Sequence, residues 1–191
     1  MTSGSVDLLV LGLGNPLLGD DGAGLLLLSE LQRDAARWEA RVEYVDGGTQ
    51  GLMLLDRVAG RSALLILDAV ALGAAPGTVH VLRDVEALGL DSHHGQTAHE
   101  GNAGELLAAA LLLGECPGQV FVVGIEPAQV RTGIGVSEAV RAALAPAAAA
   151  ARGVVEEVMG CISTEGRGCN PEHPLRVERA RRLAAGRIIA G

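Results

Sequence analysis

The sequence predicts an α/β protein of one domain: a twisted, mostly parallel sheet of five strands covered by helices on both faces. Three observations carry this expectation. Short apolar runs such as residues 8–12 and 63–67 end in Gly- or Asp-bearing turns, as strands buried on both faces do. Helical stretches alternate with these runs at βαβ spacing, which implies right-handed crossovers between parallel strands. And a chain of 191 residues that is 49% hydrophobic can bury roughly 70% of its unfolded surface in a single core, which excludes global disorder.

The elements follow in order. The first strand, residues 8–12, opens into a Gly-rich turn, and after Asp20-Asp21-Gly22 the apolar stretch from Ala23 forms a helix ending near Ala36. Residues 42–45 form a second strand closed by Asp46-Gly47-Gly48-Thr49, and a short helix over 52–58 leads to the third strand, 63–67, ending at Asp68. Residues 78–82 alternate and suit an edge strand. A loop rich in Gly, Ser and His (89–97) precedes a helix over 99–113, residues 119–125 form the fifth strand, and Ser137 caps an Ala-rich helix through the 140s. Residues 1–159 read as the folded domain. The tail, 160–191, is polar and carries six Arg against three Glu, fitting a solvated helix or a partly disordered extension.

Composition removes several functions. All 15 basic residues are Arg, so a P-loop NTPase, a Schiff-base enzyme and a pyridoxal enzyme are excluded. With one Trp, one Tyr and one Phe and a net charge of −8, the chain offers neither stacking platform nor basic surface, and nucleic acid is not expected as a partner. Cys116, Cys161 and Cys169 are odd in number, far apart and without C-x-x-C, which points to a reducing cytoplasm. No signal peptide and no apolar run near the ~18 residues of a spanning helix is visible, so no membrane partner is expected.

The acids share a location. Asp21 follows the first strand, Asp46 ends the second and Asp68 ends the third, and ligands of open α/β sheets bind beyond the carboxyl ends of strands. Carboxylates converging there repel unless a cation or shared proton relieves them. Singly, Asp20 reads as a helix cap and Asp46 as a side chain folded onto the Gly47-Gly48 turn. His93, His94 and His99 cluster in one loop, and two carboxylates with one imidazole suit Zn, Ni or Mn. His99-Glu100 lacks the second His of H-E-x-x-H; Cys161, Cys169 and His173 lack the spacing of a zinc site; no G-x-S-x-G is present. Gly12-Leu-Gly14-Asn-Pro-Leu17 lacks the third Gly of a dinucleotide motif, and the adjacent acids would repel phosphate.

Four blocks, taken together, are specific: Leu11-Gly-Leu-Gly-Asn-Pro-Leu-Leu-Gly-Asp-Asp-Gly-Ala-Gly24, Val45-Asp-Gly-Gly-Thr-Gln-Gly-Leu52, Leu65-Ile-Leu-Asp-Ala-Val70 and Val122-Val-Gly-Ile-Glu-Pro127. Across residues 6–145 the chain resembles the hydrogenase maturation endopeptidases, which trim the large subunit of nickel–iron hydrogenases. The resemblance implies a phosphorylase/hydrolase-like fold, a twisted sheet between helices. It implies that metal-binding and catalytic residues fall on Asp21, Asp68 and His99, with Asp46, Gly47, Gly48 and Thr49 near the same cleft as substrate-binding residues. It implies an aspartic-type peptidase, by family grouping, that acts as a monomer in the cytoplasm. That enzyme cuts the C-terminal extension of the precursor once nickel is installed. The nickel is carried by the substrate, and no organic cofactor is needed. Without a Ser or Cys nucleophile in these blocks, an attacking water is the economical mechanism. His93 and His94 compete with His99 as the ligand, and the tail after Gly160 has no counterpart in the family. Two alternatives stand beside this reading: a nickel checkpoint protein that binds the precursor without cutting it, and a peptidyl-tRNA hydrolase, whose opening Gly12-Leu-Gly-Asn-Pro16 also resembles.

Overall fold

The computed structural model describes residues 8–33, 38, 41–84, 87 and 103–164, the last four by backbone alone. Strands β1 (Leu8–Leu13), β2 (Val42–Gly48), β3 (Ala63–Ala69), β4 (Val79–Arg83) and β5 (Gln119–Ile125) form one sheet in the order β2-β1-β3-β5-β4. The pairs β1–β2, β1–β3 and β3–β5 are parallel, and β4 runs antiparallel along β5 at the edge. Continuous apolar sequence explains the centre: every residue of β1 is buried, whereas β4, with its alternating pattern, keeps Val81 and Arg83 exposed.

Alternate residues of the central strands feed two cores. Leu8, Val10, Leu65, Leu67, Val123 and Ile125 pack against α1 (Ala23–Gln32) and α4 (Glu138–Thr164). On the opposite face Leu9, Leu11, Leu64, Ile66, Val120 and Val122 pack against α2 (Leu55–Val58) and α3 (Ala103–Leu113). The single α/β domain with helices on both faces is the architecture expected.

Boundaries differ where backbone bonding outruns side-chain pattern. β2 does not stop before Asp46 but continues through Gly48, its register shifting between Gly12 and Leu13 of β1. β3 extends one residue past Asp68. The short helix after β2 is two pieces, a 3-10 turn over Gly51–Leu54 followed by α2. Ser137 does cap α4, its hydroxyl oxygen accepting the Val140 N–H at 3.3 Å, and α4 runs on to Thr164, past the change of composition at Gly160.

One glycine decides how β1 and α1 meet. A Cβ on Gly24 would lie 2.2 Å from the Leu67 carbonyl oxygen and 2.3 Å from that of Leu13. Only a residue without a side chain lets the first turn of α1 rest on the strand carbonyls. This close seating brings the 3-10 turn Asp20–Gly22, just ahead of α1, against β3.

Candidate active site at the carboxyl rim of the sheet

Asp68 is a buried carboxylate, 6% exposed, on the last-but-one residue of β3. It shares the sheet face of Leu64, Ile66 and Val70, the α3 side. Its Oδ1 accepts the Ala69 N–H at 2.8 Å, and the Ala103 N–H at the start of α3 also reaches the carboxylate. These donors do not offset its surroundings. Burial, with the charge of Asp21 adding to it, pushes the Asp68 carboxyl up to about 7.

Asp21 approaches from the 3-10 turn between β1 and α1. It is half-buried, and its Oδ2 accepts the Asn15 N–H at 2.8 Å, while Asn15 Oδ1 takes the Leu17 N–H at 3.0 Å. Gly14 makes that loop with φ 120°, where a Cβ would strike the Asp21 carbonyl oxygen. Of the four acids singled out at the rim, Asp21 and Asp68 are the two that the fold places within reach of each other's charge.

The other two fall elsewhere. Asp46 is exposed on β2, its Oδ1 in ordinary contact range of Gly48, 3.6 Å from where a Cβ would be, and it is the φ of 47° that favours glycine there. Gly47 is buried, Gly48 half-buried and Thr49 exposed. Asp20 is not a helix cap: the turn has no side-chain cap bond. Fully buried, its Oδ2 instead accepts the N–H groups of Ala128 (2.8 Å) and Gln129 (3.1 Å), and its Oδ1 that of Ser137 (2.5 Å). Burial raises its pKa, but the bonds from Ser137, Gln129 and Ala128 outweigh this and hold the carboxyl below the usual aspartate range.

His99, His93 and His94 lie outside the described residues, as do Cys169, His173 and the side chain of Cys161. Among the described residues no third His, Cys, Asp or Glu completes a cluster with Asp21 and Asp68.

Two residues that the sequence reading passed over stand on the same rim. Glu126, one residue past β5 and 4% exposed, takes the N–H groups of Leu72 and Gly73, with His80 Nε2 at 2.9 Å. Burial raises its pKa, but the bonds from Leu72, His80, Gly73 and Ala74 prevail and hold it below the usual glutamate range. The signal was present: Val122-Val-Gly-Ile-Glu126 has the same form as Leu65-Ile-Leu-Asp68, an apolar strand ending in an acid.

Residues 26–153 match the family model of the hydrogenase maturation proteases. The chain belongs to that family. It is 36% identical over 169 residues to the hydrogenase expression/formation protein HupM of Azotobacter chroococcum mcd 1, covering 88% of this chain and 80% of HupM. It is 34% identical over 160 residues to the hydrogenase 2 maturation protease of Escherichia coli K12, covering 83% of this chain and 92% of that enzyme. Among solved structures it is similar to the hydrogenase maturating endopeptidase HybD from E. coli, with a TM-score of 0.69 and 33% identity over 78% of this chain and 92% of HybD. The chain is thus a hydrogenase maturation protease, and Asp68 lies inside the matched region while Asp21 lies just ahead of it.

Proposed function

We propose that this protease is a nickel-dependent endopeptidase that removes the C-terminal extension of a nickel–iron hydrogenase large-subunit precursor. Asp21 and Asp68, with His99, meet the nickel carried by the substrate. The observation that carries this reading is the Asp21–Asp68 pair: a buried carboxylate with too few donors, facing a second negative charge at the carboxyl rim. Such a pair is costly to the isolated fold and is relieved by a cation. Carboxylates with an imidazole suit a borderline divalent ion such as nickel.

A polypeptide substrate fits the surroundings. Leu17, Leu52, Met53, Leu72 and Ile134, all exposed large apolar side chains, stand on the segments that leave β1, β2, β3 and β5 at this same rim. Asp46, Gly47, Gly48 and Thr49 open the segment that carries Leu52 and Met53, which supports their role in holding substrate. With no Ser or Cys among the assigned residues, water is the attacking group. A carboxylate of this rim is suited to take its proton and return it to the leaving amine, consistent with aspartic-type grouping. The protein acts as a monomer in the cytoplasm, and no described helix is long and apolar enough to cross a membrane.

Incubation of purified precursor with this protein, nickel-loaded against nickel-free, tests the reading. A mass loss at the precursor's C-terminus confined to the loaded sample is expected. Cleavage of both samples would remove the nickel dependence, and a stable complex without cleavage would leave a checkpoint protein.

A further inference from the structure

The chain that leaves Asp68 closes on itself at its far end, where the Thr78 N–H and hydroxyl donate to the Ala75 carbonyl at 3.0 and 2.6 Å. Residues 72–76 are exposed, and Gly73 and Gly77 sit at φ 80° and 83°. What fixes this loop is Glu126. Its Oε1 accepts the Gly73 N–H at 3.0 Å, and both carboxylate oxygens take the Leu72 N–H, at 3.1 and 3.0 Å. The backbone repeats the grip, since the Glu126 carbonyl accepts the Gly77 N–H at 2.8 Å and the Glu126 N–H donates to Thr78 at 2.8 Å. His80 Nε2 lies 2.9 Å from Oε2, and because an ionised carboxylate only accepts, that nitrogen carries the hydrogen.

Register places this strap beside the site. Asp68 pairs with Gly124, and Gly124 pairs with His80, so the three lie in one cross-strand row. Alternation puts Glu126 on the same face. Between Asp68 and His80 the row has no side chain of its own, and the gap is filled by Val70: a Cβ on Gly124 would be 2.5 Å from Val70 Cγ2. Val70 is held in turn by its N–H to the Ile125 carbonyl at 3.0 Å. Glu126 thus holds the loop at Leu72 and Gly73, and the neighbouring Ile125 carbonyl holds Val70, so the chain is pinned within two to five residues of Asp68.

We infer that Glu126, locked by His80, is a positioning residue for the protease reaction: by folding residues 71–78 around its carboxylate it sets where Asp68 presents its own. The inference rests on the assignment of Asp68 above. The whole chain is tested as Glu126→Ala, Glu126→Gln and His80→Ala, beside Asp68→Asn and a control, Arg83→Ala. The control loosens β4 by breaking the bidentate Arg83–Glu157 pair (2.6 and 2.8 Å) without touching the loop. All are assayed at a temperature where melts show them folded.

Groups that orient a ligand from behind commonly cost 10–100-fold when removed, so Glu126→Ala should lose about that factor in kcat and in affinity for added nickel ion, the weaker nickel contact also raising KM for the nickel-bearing precursor. Glu126→Gln, which keeps one carbonyl acceptor, should recover most of kcat, His80→Ala should fall between, and Arg83→Ala should match the wild type. If Asp68→Asn is dead while Glu126→Ala keeps kcat and nickel affinity within about twofold, the positioning role is overturned and the site assignment survives. If Asp68→Asn processes normally, the assignment itself has failed and the inference falls with it.

Discussion

The exits of β1 and β3 each carry a buried aspartate, and the two titrate in opposite directions. Asp20 is 0% exposed and Asp68 is 6% exposed, so withdrawal from water is common to both. Asp20 faces three backbone N–H groups and the Ser137 hydroxyl and lies below the usual range. Asp68 faces two N–H groups and a neighbouring negative charge, and rises to about 7. Burial therefore does not distinguish a structural carboxylate from a candidate catalytic one; the count of donors against charges does. At the β1 exit the carboxylate ties loop to loop. At the β3 exit it is left short of donors.

The sharpest way to break this comparison is Asp68→Asn. Precursor processing should fall by about a thousandfold or more, as for loss of a group that moves a proton. Stability should move the other way. The folded carboxyl titrates near 7 and the unfolded one near 3.8, so the folded state holds a proton that the unfolded state has lost. The contribution of Asp68 to wild-type stability consequently drops as pH rises from about 4 to 7, by on the order of 4 kcal/mol. Asparagine escapes that loss. Urea unfolding should show the variant equal to wild type at pH 4 and more stable at pH 8; a variant less stable at pH 8 would refute the raised titration.

Gly24→Ala attacks the contact that brings the two exits together. Its methyl would meet the Leu67 and Leu13 carbonyl oxygens, backbone atoms that cannot turn aside. A loss of about 3 kcal/mol or more is expected, measured by thermal melt, with the remaining folded fraction impaired in processing because the turn bearing Asp21 is lifted off β3.

Asp20→Asn tests the β1 exit alone. One oxygen is replaced by an amide that cannot accept, leaving buried N–H groups of the 128–137 segment without a partner, at about 1–3 kcal/mol. Here the sign reverses relative to Asp68. The folded carboxyl titrates below the unfolded value of 3.8, so its contribution is present above about pH 4 and is lost as pH falls through the folded value. The gap between wild type and variant should be full at pH 7 and close toward pH 3. A gap that widened on acidification would contradict the assignment.

How far these roles could be read from sequence follows from the range of the interactions. The strands were legible because apolar runs and alternation are local, and Asp68 was legible because it ends such a run. The continuation of β2 through Gly48 was not, since it depends on backbone pairing with Gly12 and Leu13 rather than on side-chain pattern. From sequence Asp20 reads as a cap, because its donors lie more than a hundred residues away, at Ala128, Gln129 and Ser137. Local spacing carries no trace of them. Glu126 had a local signature, but its meaning lay in the loop after β3, which its carboxylate folds. The assignment of His99 came from the family resemblance and falls on residues outside those described.

Ser137→Ala has the smallest expected effect and divides the Asp20 knot most finely. Ser137 serves both sides of the junction. Its N–H donates to Asp20 Oδ1, its hydroxyl also bonds the Asp20 carboxylate, and its hydroxyl oxygen accepts the Val140 N–H to start α4. Alanine keeps the backbone N–H, and with it the main tie between loop and carboxylate, while removing the cap and the hydroxyl bond. A cost of about 1 kcal/mol follows, read as a lower urea midpoint with processing unchanged. In the Asp20→Asn background the hydroxyl has lost the ionised carboxylate, so the second substitution should cost less than it does alone. Strict additivity would show that Ser137 acts through α4 only, and that the Asp20 knot is held by backbone N–H groups without help from the hydroxyl.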